Sequence, residues 1–197
     1  ARFEALRPDP LRIPPNAATR ALARANQAFM DRDWATVRAL SGTDFVYDDR
    51  SKRALVRGDI ETWIGAQQYW ASVSLFTAAT EIIGTVGDRI MLEHMLGRGG
   101  RDGDDFELEA VRVIEVDAAG RIRASIKFDP EDRPAAFIEA LERFAIGEAA
   151  AVGGSAPVAA LLRTFVSHDW DALRRTLAPD FVGNDHRTLG LGRLDRE

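Results

Sequence analysis

Four polar side chains fall on otherwise apolar strand faces and have the chemistry for proton transfer or ligand capture. His94 shares its phase with Ile90, Leu92 and Leu96. In an apolar pocket a neutral imidazole exchanges protons near neutral pH; in a packed core it is satisfied by a carbonyl or a tyrosine. Asp49 follows Phe45 and Tyr47 in phase. Burial that raises its pKa makes it a general acid or base, and the bland alternative is a turn cap or a pair with Arg50 or Arg53. Arg112 is in phase with Leu108, Ala110, Ile114 and Val116, placed either to hold a ligand carboxylate or to pair with Asp49. Tyr47 is a hydrogen-bond donor for a carbonyl oxygen or simply core. Trp63 and Trp70 read as aromatic bulk of the core or of a pocket wall.

The elements that position these residues read as helices first and strands afterwards. Asn16 after Pro14-Pro15 is an N-cap for a helix over 17–31, whose apolar stripe runs through Leu22, Ala25 and Phe29. A short helix at 33–41 carries Trp34, Val37 and Leu40 on one face. Residues 44–49 alternate as a strand, and 58–71 form a third helix with Ile60, Trp63 and Ile64 inward. Four strands follow at 74–86, 89–98, 105–117 and 121–128, separated by short turns that imply antiparallel hairpins. In the last of them Arg121, Arg123, Ser125 and Lys127 alternate with apolar residues, so that face is expected to be wet. A final helix over 134–144 aligns Phe137, Leu141 and Phe144.

The chain is also internally repetitive. FMDRDWATVRALSGTDFVYDDR from Phe29 returns as FVSHDWDALRRTLAPDFVGNDH from Phe165, at a constant offset of 136. Between positions 29 and 61, twelve of 33 residues equal their counterparts, including Asp33-Trp34 with Asp169-Trp170 and Asp44-Phe45-Val46 with Asp180-Phe181-Val182. Trp34 and Trp170 therefore read as packing anchors. Asp49 has the counterpart Asp185, whereas Tyr47 has Gly183. Arg2-Phe3 resembles Arg143-Phe144 at the end of the last helix. The expected organisation is a preceding unit's tail and a Pro-rich linker at 1–15, one complete unit at 16–147, a linker at 148–156, and the first part of a second unit at 157–197. That last piece, two helices and one strand, is too short to enclose a core alone, so it packs on the complete unit, pairs with another chain, or moves.

Composition narrows the function. The 197 residues are 46% hydrophobic and 29% charged, which is globular rather than disordered or fibrous. The absence of cysteine excludes disulfides, thiolate zinc sites and a cysteine nucleophile. A net charge of −5 argues against a nucleic-acid-binding surface. No apolar run has the roughly 20 residues of a membrane helix, and the start has no signal-peptide core. The expectation is a soluble, cytoplasmic protein with no membrane or nucleic-acid partner. P-loop, nucleophile-elbow and HExxH patterns are missing, and the Gly97–Gly103 stretch reads as a hairpin tip. His168-Asp169 and Asp185-His186 are too few ligands for a metal shell. Neither a metal nor a cofactor is expected.

The spacing Phe29…Asp33-Trp34…Leu40…Asp44-Phe45, then Arg57-Gly58-Asp59-Ile60-Glu61-Thr62-Trp63, then a long meander, resembles the nuclear transport factor 2-like superfamily and its SnoaL-like branch over about 20–145. The resemblance implies an α+β, cone-shaped fold: a curved antiparallel sheet wrapped around N-terminal helices, with a pocket for a small hydrophobic ligand, often as a homodimer through the sheet face. The linker followed by such a unit is also similar to tandem modules of large actinobacterial regulatory proteins. Fold alone leaves function open. One expectation is a small-molecule-binding or interaction module. The other is an isomerase, cyclase or dehydratase acting on a small hydrophobic carbonyl compound. A ketosteroid isomerase constellation requires a tyrosine that the first helix does not have. A cyclase-like pair of Asp49 as base and His94 as acid, with Tyr47 or Arg112 on the oxyanion, requires their strands to face one another.

Overall fold

A computed structural model describes residues 13–73, 77–100, 106–151, 155–185 and 192–195. The opening segment, including Arg2-Phe3, the hairpin tip at 101–105, and His186 lie outside the described residues.

Asn16 begins α1 (Ala17–Met30) as expected: its side chain accepts from the Thr19 amide, while Thr19 bonds back to the Asn16 backbone. The Asn16 amide also donates to the carbonyls of Ile90, at 2.8 Å, and Gly87. The cap thus ties the first helix to a distant hairpin. Asp33 caps α2 (Trp34–Ala39). The chain then extends into β1 (Ser41–Asp49), turns, and pairs with β2 (Val56–Gly58), a short strand the alternation pattern did not reveal. After α3 (Ile60–Val73) come β3 (Thr77–Val86), β4 (Ile90–Gly99), β5 (Phe106–Val116) and β6 (Ile122–Phe128) as an antiparallel meander, followed by α4 (Arg133–Ile146).

These strands form one six-stranded sheet in the order β2-β1-β6-β5-β4-β3. The sheet is mixed rather than wholly antiparallel, because β1 pairs with β6 in parallel. Register shifts in β1, β3 and β5 bend it. The helices-first order and the curved sheet laid around α1 to α3 are the α+β cone that the resemblance implies.

Both sheet faces are covered. On one side Met91, Ile114, Phe45 and Tyr47 pack with Leu22, Ala25, Trp63 and Ile64 of α1 and α3. Trp63 is fully buried, stacked 5.1 Å from Phe45 and edge-on to Phe29 at 4.9 Å, so it belongs to the core. On the other side Leu92, Val113, Ala124 and Ile126 pack against Ala136 and Ala140 of α4. This second face is the one expected to meet a twin. In the structure α4 of the same chain occupies it, because Ala136 and Ala140 are small enough for the helix to lie close to the strands.

The remaining residues form α5 (Ser155–Val166), α6 (Trp170–Thr176), β7 (Val182–Asp185) and β8 (Gly192–Asp195). They follow α1, α2, β1 and β2 at the 136-residue offset. Arg32 and His168 both take a left-handed turn at φ 55°. Phe29–Trp34 and Phe165–Trp170 are edge-on pairs at 5.8 and 5.7 Å. The pairing Tyr47 with Gly58 recurs as Gly183 with Leu194. Their surroundings differ: Phe45 is 6% exposed and Phe181 is 37% exposed. Of these elements α5 packs on α4, with Ala159 buried and an Arg163–Glu142 ion pair between the two helices.

Candidate functional site

Strand register brings four charged side chains into one row on the helix-facing side of the sheet that α1 and α3 cover, opposite the α4-facing side. Asp49 of β1 stands opposite Lys127 of β6, Lys127 opposite Arg112 of β5, and Arg112 opposite Glu93 of β4. Residues directly opposite share a face, so the row crosses about 14 Å of sheet at the usual strand spacing. All four are buried. The sequence of charges is minus, plus, plus, minus, and each end carboxylate neutralises its neighbour.

Asp49 is the most densely bonded of the four. Its Oδ1 accepts from the Ser51 hydroxyl at 2.6 Å and the Ser51 amide at 3.1 Å; its Oδ2 accepts from the Tyr47 hydroxyl at 3.1 Å and Lys127 Nζ at 3.3 Å. Burial pushes its pKa up, but the Lys127 charge and these hydrogen bonds outweigh it and hold the carboxyl below the usual range. Burial pushes the Lys127 ammonium down; Asp49 offsets part of this and the Arg112 charge adds to it. Burial, then the adjacent Asp49 carboxylate, holds the Tyr47 hydroxyl well above the ordinary phenol range.

Arg112 is an ion-pair residue, as one of its two expected roles required, but its partner is Glu93 rather than Asp49. Its Nε lies 2.7 Å from Glu93 Oε1 and its Nη2 contacts the same oxygen. Lys127 stands between Arg112 and Asp49 in the register.

His94 does not join this site. It is opposite Val111 on the α4-facing side, and its Nε2 lies 2.7 Å from Glu109 Oε1 at a half-exposed position. Asp49 and His94 point to opposite faces of the sheet and do not face one another. Tyr47 and Asp49 do meet. Trp70, near the end of α3, is partly buried and packs 5.5 Å from Phe106 at the start of β5.

Three members of the site were missed by sequence reasoning: Glu93, Ser125 and Lys127. The polar positions of β6 were expected to be wet, yet Ser125 is 0% exposed and Lys127 8%. Ser125 is opposite Tyr47 and Ile114, and its Oγ has no hydrogen-bond partner among the described residues. Burying an unsatisfied hydroxyl is unfavourable, so this atom marks the interior as a place with unused polar capacity.

A concavity of about 260 Å³ lies elsewhere, lined by Arg89, Glu115, Arg123, Arg143 and Glu148 among others. Glu115 there already pairs with Arg143 and Arg123. Among the described residues no group of three or more His, Cys, Asp or Glu side chains is arranged to hold a metal ion, and no helix is long and apolar enough to cross a membrane.

No protein-family model and no curated protein matches the chain. Among solved structures it is similar to RV0760c from Mycobacterium tuberculosis, at 16% identity and TM-score 0.49 over 59% of this chain and 92% of that one. It is similar to an LEH-like epoxide hydrolase of M. tuberculosis, at 19% and 0.45 over 66% and 96%. It is also similar to an NTF2-like protein from Burkholderia xenovorans, at 14% and 0.48 over 59% and 91%.

Proposed function

We propose that the unit formed by α1 to α4 and β1 to β6 binds a small, largely apolar molecule against the helix-facing side of the sheet. Tyr47, Ser125, Lys127 and Arg112 meet its polar end and Trp70 its apolar body. The observation that carries this reading is the fully buried Ser125 hydroxyl, which has no hydrogen-bond partner among the described residues and lies beside Tyr47 on the strand next to it. Around it, four buried charges occupy ground where apolar side chains of similar volume are often as stabilising or more so. Perturbed, buried titratable groups gathered in one place are the usual mark of a functional site.

The alternative expectation, an isomerase, cyclase or dehydratase with Asp49 as base and His94 as acid, fits less well. Asp49 already accepts four hydrogen bonds and is held ionised, which makes it a weak base. His94 is out of reach. Residues 157–197 are, in this reading, the first part of a second unit, supported by the recurrence of turn, aromatic pair and strand register at 136 residues.

The test uses the full chain with benzaldehyde as probe, followed by thermal unfolding and native mass spectrometry. A rise in Tm with probe concentration, reduced in Ser125→Ala and Tyr47→Phe, is expected. The reading fails if wild type and both variants respond alike.

A further inference from the structure

We propose that Lys127 is an imine-forming amine for a small apolar aldehyde or ketone held on the helix-facing side of the sheet. The inference rests on the binding reading above and adds a covalent step to it. The chain has two lysines, Lys52 and Lys127, among 26 basic residues that are otherwise all arginine. Arginine at position 127 would pair with Asp49 as well or better, since its guanidinium offers more donors in a fixed fork. An amine differs from a guanidinium in one chemical respect that matters here: its nitrogen becomes a nucleophile once deprotonated.

The surroundings favour deprotonation on geometric grounds. The Lys127 side chain is 10% exposed, and its register neighbour on β5 is the guanidinium of Arg112. A lysine that is desolvated or next to a second cation is the arrangement that activates amine nucleophiles. The lowered pKa of Lys127 agrees with it. Glu93, by neutralising Arg112 from the far side, keeps that cation from capturing Asp49. Asp49 Oδ2, 3.3 Å from Nζ, is the counter-ion of the positive iminium that forms, and water takes the proton that the ammonium gives up.

The step balances without a redox partner. The neutral Nζ attacks the carbonyl carbon, a carbon–nitrogen double bond replaces the carbon–oxygen double bond, and the oxygen leaves as water with two protons, both from nitrogen. The reaction is reversible by hydrolysis. Tyr47, whose hydroxyl stays protonated, donates to Asp49 Oδ2 at 3.1 Å and so holds the carboxylate that faces the iminium.

The two lysines provide an internal control, because the Lys52 side chain is 71% exposed and pairs with Glu131 on the surface. The full chain is incubated with benzaldehyde and cyanoborohydride at pH 7, and the benzylated lysine is located by peptide mapping. Lys127 is expected to be labelled several-fold faster than Lys52 in the folded protein, and at the same rate once the chain is unfolded in denaturant. Lys127→Arg is expected to abolish the fast label. Equal or slower labelling of Lys127 overturns the proposal. If the thermal response persists without that label, the imine step alone is wrong; if both are missing, the binding reading falls with it.

Discussion

Asp49 and Lys127 lie 78 residues apart in the chain and directly opposite one another on two parallel strands, with Nζ 3.3 Å from Oδ2. The pair is buried, so losing one partner leaves a charge with no counter-ion. Lys127→Met is expected to destabilise the unit by about 3 kcal/mol, and Asp49→Asn together with Lys127→Met by less than the sum of the two single changes. Urea unfolding of the three variants checks this. Additive losses would mean that the two groups are not coupled.

Acid stability depends on Asp49 in a defined direction. Its pKa in the folded state lies below the ordinary value of 3.8, so between the two values the unfolded chain binds the proton more readily. The stability contributed is fully present above the unfolded value and is lost as pH falls through the folded one. Asp49→Asn should flatten the acid limb of a Tm-versus-pH curve relative to wild type. Identical limbs would remove Asp49 from the account.

Ser125→Ala separates stability from binding. Removing a buried hydroxyl that has no partner among the described residues takes away a desolvation cost, and a gain of about 1 kcal/mol is expected. The same change should weaken the response to the probe. Calorimetric unfolding with and without benzaldehyde reads both effects, and a loss of stability would show that the hydroxyl is satisfied in solution.

His94→Gln is expected to change little. The His94–Glu109 contact is half exposed, on the α4-facing side of the sheet, and surface pairs of this kind contribute under about 1 kcal/mol. Urea midpoint and probe response should both match wild type; a large drop in probe response would return His94 to the site.

The repeated segment should open before the main unit does. Val158, Phe165, Trp170 and Phe181 are exposed where Leu22, at 3%, and Phe45, at 6%, are covered. Hydrogen exchange is expected to be faster in α5, α6 and β7 than in α1, α2 and β1, in spite of their matching backbones. Equal protection would point to a cover over the second set in solution.

The order of elements was legible because each follows from a local signal: Asn16 before an apolar stripe, Asp33 before Trp34, a change of period after Trp70. What escaped was the side of the sheet that mattered. In β4, Ile90-Leu92 and Met91-Glu93 alternate, and both faces are buried, one under α1 and α3 and the other under α4. Alternation separates two faces without saying what covers each, so the more apolar one drew attention and His94 with it. Ser125 and Lys127 were read as wet for the same reason. Asp49, Tyr47 and Arg112 were found because Phe45 and Ile114 on their own strands are apolar on the α1-facing side. The Glu93 partner of Arg112 and the parallel pairing that seats Lys127 are properties of register, which one strand read alone does not contain.

That parallel pairing also sets a timetable for synthesis. One edge of β1 is taken up by β2 within a few residues, but the other waits for β6, which ends at Phe128. At roughly 5–20 residues per second, the interval between the end of β1 and the end of β6 is about 4–16 s on the ribosome. Through that time Asp49 has no lysine and a hydrogen-bonding strand edge faces water, open to other chains. The nascent protein is therefore most exposed to mispairing before Lys127 emerges, and trigger-factor-like or Hsp70-like holding is most useful in that window.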